Sequence, residues 1–378
     1  MLATGKVLRL RLLQSTWRRC FTVLALESSA DDTCAAVVTS ERKILSNVVV
    51  KQNEEHAPYG GIHPLAAVHA HHRNMPGAIR AALNDAQLSM SGIDGIAFTR
   101  GPGMHSCLAV CANAAKNLAA ALDKPLVGVH HMQAHALTVL LTSPESERPQ
   151  FPFLTLLISG GHTLLLLTTS QTSFRTLAAA VDQAVGRVFD KVSRALELPW
   201  STRGPGAALE ECSNLDMPPE EVPLFPQFPP VQPGKLSFSF DGVHSEVHRL
   251  LERIKREGAL TIGFKVGVAR AFHEAITVQL EEKLVLALRQ CAKNGISVRH
   301  VVVSGGVASN GFLRNRLRSC VQSKFLGEQI SLVYPPPYLC TDNAVMIAWA
   351  SMDRFLRQEH DNYSIEHLSK WNIEDLQT

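Results

Sequence analysis

His131 and His135 stand four residues apart in the stretch HHMQAHALTVL, residues 130–140. At that spacing on a helix the two imidazoles lie one above the other on one face and can reach a single cation. The spacing is also that of the zinc-peptidase signature H-E-x-x-H, in which the residue after the first histidine is a glutamate that serves as general base. Here that residue is Met132, which cannot accept a proton. The pair alone fits a metal site and an ordinary helix with partly exposed histidines equally well.

Three glycine turns are the other stretches that could do chemistry. ISGGH (158–162) and VSGGVASN (303–310) each place Ser-Gly-Gly directly after an apolar strand. Glycine permits positive φ and close approach, so successive backbone N–H groups there can converge on an anion. TRGPG (99–103) opens a helix, whose N-terminus favours anions, although a plain Gly-Pro-Gly turn reads the same way. No G-x-x-x-x-G-K-[ST] occurs, which excludes a P-loop NTPase at the level of motif.

The elements that would carry these residues repeat. VLALESSADDTCAAVVTS (23–40) is strand, small polar turn, strand, and FLTLLISGGHTLLLLTTS (153–170) has the same plan 130 residues later. Each is followed by a strand, a glycine turn and a helix, at 96–122 and 301–321. The pattern predicts a duplicated α/β unit with its glycine turns at strand ends. The boundary falls in LTSPESERPQ (141–150), which gives a first lobe of 21–145 and a second of 146–356. MPPEEVPLFPQFPPVQPG (217–234) holds seven prolines, so neither helix nor strand can run through it, and it reads as a surface excursion of the second lobe. The last helix, after Asp342, begins once the second repeat is complete and is expected to cross back to the first lobe, leaving 357–378 as a tail.

A chain of 378 residues with 46% hydrophobic and 19% charged residues is globular and long enough for two domains. Residues 1–20 carry Lys6, Arg9, Arg11, Arg18 and Arg19 and no acid, the character of a mitochondrial transit peptide; Arg9 and Arg11 interrupt the apolar centre a secretory signal needs. Setting those five aside leaves 32 Lys and Arg against 34 Asp and Glu, so a nucleic-acid site must be a local basic patch. Helix faces bearing Arg249, Arg253 and Arg256, or Arg314 and Arg318, could track phosphates or simply be solvated. Eight cysteines without a C-x-x-C pair read as free thiols, Cys107 and Cys111 in the core. The longest apolar stretch, 151–169, is split by Ser159, Gly160, Gly161 and His162, so no membrane span is expected.

ALESSADDT, GGIHP, TRGPGM, HMQAH, ISGGHT, VGRVFDK, GKLSFSF, SGGVASN and CTDNAVMIA occur in this order over residues 22–356. In that order and spacing they resemble the tRNA adenosine threonylcarbamoyltransferases, once described as glycoproteases. The resemblance implies an α/β fold of two duplicated actin-like (ribonuclease-H-like, sugar-kinase-like) lobes with a cleft between them. It implies that His131, His135 and Asp342 hold one divalent metal ion per subunit, iron or zinc before magnesium. Leu157, Ile158, Ser159, Gly160 and Gly161 would contact threonylcarbamoyl-AMP, and Asp190, Gly204 and Asn310 its nucleoside. Asp31 is the candidate general base, with Asp32 beside it. The chain departs from the family pattern at Leu65, His69, Ser106 and Arg187, and one extra residue precedes Gly204.

The reaction so implied is transfer of the threonylcarbamoyl group to N6 of adenosine 37 in mitochondrial tRNAs that read codons beginning with adenine, forming t6A in the matrix. Its partners are tRNA, threonylcarbamoyl-AMP, the synthase that makes it and a second copy of the chain. Two rival classes are weaker: a metallopeptidase lacks its base at Met132, and an actin-like or sugar-kinase-like ATP-binding protein has no use for the histidine pair.

Overall fold

The computed structural model describes residues 20–225, 228–229, 231–258 and 260–377; the expected leader, save Cys20, lies outside them. The first half supplies β1 (Thr22–Glu27), β2 (Thr33–Thr39), β3 (Ile44–Val50), β4 (Gly95–Gly101) and β5 (Leu126–His130), with helices α1 (Asn53–His56), α2 (Pro64–Asp85), α3 (His105–Ala121) and α4 (His131–Thr142). The second supplies β6 (Phe153–Ile158), β7 (Thr163–Thr168), β8 (Phe174–Ala179), β9 (His300–Ser304) and β10 (Ser331–Val333). Its helices are α5 (Val185–Ala195), α6 (Pro205–Ser213), α7 (Asp241–Glu257), α8 (Ile262–Lys293), α9 (Gly311–Lys324) and α10 (Ala344–Leu356).

The sheets run β3-β2-β1-β4-β5 and β8-β7-β6-β9-β10. In each, a three-stranded antiparallel meander is extended by two parallel strands. Strand for strand the two halves have one topology, so the repeat visible in the chain is a repeat in space. β1 and β6 are central and every residue of both is buried, which explains why they read as mostly apolar runs rather than alternating ones.

Three apolar clusters make five layers. One lies between the first sheet and α2 and α3, and another between the second sheet and α5 to α9. The third joins both sheets through α4 and α10, taking in Val23 and Val38 from one side and Leu157 and Val302 from the other. α10 follows the second-lobe strands in sequence yet packs on β1, β2 and α4. α4 and α10 thus occupy equivalent places in the two repeats, each the helix that follows the last parallel strand.

The proline-rich excursion is not merely superficial. Regular structure between 218 and 234 is limited, among the described residues, to a short 3₁₀ turn at Pro219–Glu221, but Val222 is buried and Phe225, Phe228 and Val231 pack on the second-lobe core. Fully buried Lys283 of α8 donates to the carbonyls of Gln232 (2.7 Å) and Val231 (3.4 Å) and pairs with Glu282 (2.8 Å). The eight cysteines are free thiols, with Cys107 and Cys111 fully buried. No helix among the described residues is long and apolar enough to cross a membrane.

Fully buried Ile347 of α10 sits in the layer shared by both lobes. Ile347→Ala is expected to cost about 2–5 kcal/mol in denaturant unfolding. The loss should appear in one transition that both lobes share; two separated transitions would show that the central layer does not couple them.

Candidate active site and metal centre

His131 opens α4 and His135 lies one turn further on, so both rings leave the same face. Asp342 immediately precedes Asn343, whose side chain caps α10 by accepting from the Met346 N–H at 2.9 Å. Because α4 and α10 pack together, the two first turns meet. Asp342 Oδ1 lies 3.0 Å from His135 Nε2 and 3.3 Å from His131 Nε2. The three ligand atoms are within 4.8 Å of one another, and the imidazoles stand edge to face at 4.8 Å between centroids.

The sequence reading missed Glu27, the last residue of β1. It is fully buried and accepts from the Ser29 N–H and the Thr99 hydroxyl, with which it is in very short contact. Its Oε2 lies 3.2 Å from His131 Nδ1, an atom also 3.3 Å from Ser29 Oγ. A proton on Nδ1 shared with Glu27 leaves the Nε2 lone pair for a cation, the usual carboxylate–histidine–metal relay. The available signal was an acid ending the otherwise apolar strand TVLALE.

These groups fit a metal. Two imidazole nitrogens and one carboxylate oxygen form a mixed set suited to zinc or iron, with room for further ligands. His135 Nδ1 is buried without a hydrogen-bond partner among the described residues, so the ring's one polar protein contact there is Nε2 with Asp342. The surroundings are also short of positive charge. Burial pushes Asp31 up to about 7, with Asp342 and Asp190 adding to the rise, and burial with the neighbouring Asp31 and Asp342 pushes Asp32 up to about 8; Lys51 alone opposes both through charge. Asp342 is held far below the carboxylate range: burial opposes this, but both histidines outweigh it. With no cation bound, His131 itself takes the charge. Burial would lower its pKa, but Asp342 and Glu27 raise it to about 10.

The turn that carries Asp31 is fastened from behind. His71 of α2, fully buried, donates from Nε2 to the Ala30 carbonyl (3.0 Å), while its Nδ1 accepts from the Thr33 hydroxyl (2.8 Å) or Gln52 (3.1 Å). Burial keeps this imidazole neutral by lowering its pKa. Nothing in the run HAHHR distinguished His71 from its neighbours.

On the second-lobe side the β6–β7 turn closes through Ser159, whose N–H donates to the His162 carbonyl (2.8 Å) and whose Oγ accepts from the His162 N–H (3.1 Å). Gly160 and Gly161 are exposed, with open space where a side chain would be. The backbone behind them is crowded: a Cβ on Gly186 would fall 2.6 Å from the Ser159 oxygen, and one on Gly305, at φ +96°, 2.4 Å from that of Ile158. Only glycine lets these segments close on one another. Leu157 and Ile158 bury their side chains in the core, so only their main chain can face a ligand.

Asp190 of α5 accepts from the Gly206 N–H and is raised by burial to about 6; its charge is felt at Asp31 across the cleft. Gly204, at φ +105°, precedes α6 and borders open space. Asn310 differs from expectation in its surroundings. Its Oδ1 caps α9 by accepting from the Leu313 N–H (3.1 Å) and its Nδ2 lies 3.1 Å from His273 Nε2, so the carboxamide is already engaged on both sides. Three of the five helix arginines are engaged with other side chains within the protein. Arg314 lies over the Tyr334 ring (4.7 Å) and donates to the Ala308 carbonyl, Arg318 lies over the same ring, and Arg249 pairs with Glu246.

Two duplicated five-stranded lobes with helices between and outside them, and a cleft bordered by glycine turns, define the actin-like, sugar-kinase-like class. The fold aligns with that of HypF from T. kodakarensis over 90% of this chain and 48% of that one, with a TM-score of 0.55 at 16% identity, a likeness of fold alone. The profile of the tRNA N6-adenosine threonylcarbamoyltransferases (TsaD) matches residues 43–349, and the chain belongs to that family. It is 36% identical to the probable mitochondrial tRNA N6-adenosine threonylcarbamoyltransferase of Arabidopsis thaliana, over 90% of this chain and 70% of that protein. It is 35% identical to the mitochondrial enzyme of that name from Schizosaccharomyces pombe, over 95% and 88%.

In metal-free protein at neutral pH, nitrogen-15 NMR is expected to find His131 protonated on both ring nitrogens, as a pKa near 10 requires. Asp342→Asn removes the leading attraction and should return the ring to a single proton above neutrality. A singly protonated His131 in the metal-free wild type would contradict this electrostatic picture.

Proposed function

We propose that the chain transfers the threonylcarbamoyl group of threonylcarbamoyl-AMP to N6 of adenosine 37 in mitochondrial tRNAs that read codons beginning with adenine. The observation that carries this reading is the convergence of His131, His135 and Asp342 beside the Asp31 turn, in a chain of this family. A cation held by those three residues would supply Lewis-acid stabilisation of charge on the phosphate or carbonyl oxygen.

The remaining chemistry belongs to the chain's own groups. Main-chain N–H groups of Gly160 and Gly161, in the turn that Ser159 closes, hold the phosphate where the two glycines leave open space. Asp190 and Gly204 form the nucleoside side, and Asn310, its carboxamide engaged by the α9 cap and His273, holds the start of α9 in place. N6 attacks the threonylcarbamoyl carbonyl carbon, the bond from that carbon to the phosphate oxygen breaks, and AMP leaves with the electron pair. Asp31, ionised, takes the proton that N6 loses. His71 and Glu27 act one step back, the first on the Asp31 turn and the second on His131. One divalent ion per subunit, a homodimer and the mitochondrial matrix complete the reading; the arginine-rich leader and the mitochondrial relatives support the location.

Purified protein given threonylcarbamoyl-AMP and an unmodified tRNA that reads codons beginning with adenine is expected to yield threonylcarbamoyladenosine by nucleoside mass spectrometry. Absence of the product with metal-loaded wild type would overturn the assignment. Asp31 must be ionised to act, so the rate should fall as pH drops through about 7, or lower once a cation draws the carboxyl down. Asp31→Asn should abolish that acidic limb and slow transfer by roughly 10²–10⁴; a limb that survives the substitution assigns it to another group. Residues 1–25 fused to a fluorescent reporter should enter mitochondria, and a diffuse cytosolic signal would remove the localisation.

A further inference from the structure

Beyond α10 the chain does not trail away. Asp361 forms a bidentate pair with Arg354 (2.9 and 3.0 Å) and accepts from the Gly128 N–H (2.8 Å), which starts the segment along the edge of β5. It then crosses the ends of β4 and β5, where the Leu368 N–H donates to the Arg100 carbonyl at 2.7 Å. The approach is so close that a Cβ on Gly101 would lie 1.8 Å from the Leu368 oxygen. The segment ends on the second lobe, with Ile373 buried in the central layer and Glu374 accepting from the Thr176 N–H. These residues follow the part matched by the family profile.

Midway stands Trp371, whose carbonyl lies 3.2 Å from His130 Nε2 and whose indole packs against the His130 ring at 4.7 Å, with the Arg100 guanidinium 5.0 Å from the indole centroid. His130 is the N-cap of α4. Its Nδ1 accepts from the N–H groups of Met132 (3.1 Å) and Gln133 (3.5 Å), which places its proton on Nε2, facing the Trp371 carbonyl. One imidazole therefore joins the strap to the first turn of the helix that bears His131 and His135.

We propose that the strap of residues 361–376 is a positioning element for the metal helix, with Trp371 acting through His130 to fix the first turn of α4 and so the aim of His131 and His135. Neither Trp371 nor His130 touches the reacting atoms. The proposal rests on the metal reading above, so its test reads the metal directly. Full-length protein, freed of metal, is titrated with cobalt(II) and followed by visible absorption, which reports both affinity and ligand geometry.

His130→Ala and Trp371→Ala are expected to weaken cobalt binding about tenfold and to alter the band positions, in the range of losses seen when groups behind a metal ligand are removed. His130→Asn, which keeps a cap acceptor, and Trp371→Phe, which keeps a ring against His130, should each recover most of the affinity. Ile254→Ala, in the α7 core away from the strap, controls for general destabilisation and should bind as wild type does. Wild-type affinity in both alanine variants would overturn the proposal, as would equal weakening in Ile254→Ala or no recovery in either conservative variant. No cobalt bands in the wild type would instead remove the metal reading on which the proposal stands.

Discussion

α4 and α10 lie against each other in the layer between the sheets, and the first turn of one faces the first turn of the other. Everything at the site follows from that contact. His131 and His135 come from one helix and Asp342 from the start of the other, so neither lobe alone holds the set. Because the two helices are equivalent members of a duplicated unit, the site sits on the approximate symmetry between the repeats. The packing that builds the central core is the packing that brings the ligands together, and apolar burial along α10 therefore sustains polar geometry at its N-terminal end.

That arrangement sets an electrostatic problem. A helix N-terminus is the positive end of its dipole and disfavours a cation, and here two such ends meet. The carboxylates around them offset this: Asp342 between the imidazoles, Glu27 behind His131, and Asp31 and Asp32 in the adjoining turn. Burying so many acids with few cations is costly unless something positive completes the group. Without a metal the protein answers by holding a proton on His131; with one, Asp342 would serve as a ligand and the other acids as its supporting shell.

The other wall of the cleft works by absence of side chains. Gly186 and Gly305 allow strand ends and turns to touch backbone to backbone, which leaves Gly160 and Gly161 projecting over open space. Their N–H groups are held by a tight turn that Ser159 closes with its own backbone and hydroxyl. On the proposed reading, an anion offered to that turn would meet donors already in place, which would lower the ordering cost of binding.

Features set by near neighbours were legible in the chain itself. Buried central strands read as apolar runs, Ser-Gly-Gly after a strand read as a turn, the histidine spacing read as one helix face, and the order of these units showed the duplication. Asp342 was reached only through resemblance to a family, since nothing local relates it to His135, 207 positions away. Tertiary structure alone decided the rest. Glu27 ends a strand and could have faced either way; His71 and His130 are two among sixteen histidines; Asn310 offered a free carboxamide on paper and caps a helix in space; the prolines of 217–234 forbade regular structure without disclosing that Val222 and Phe225 pack on a core. The physical reason is common to all of them. Periodicity and turn chemistry report torsions and contacts within a few residues, whereas the partner of a buried polar atom depends on which layers meet, and that is determined by the summed packing of segments hundreds of residues apart.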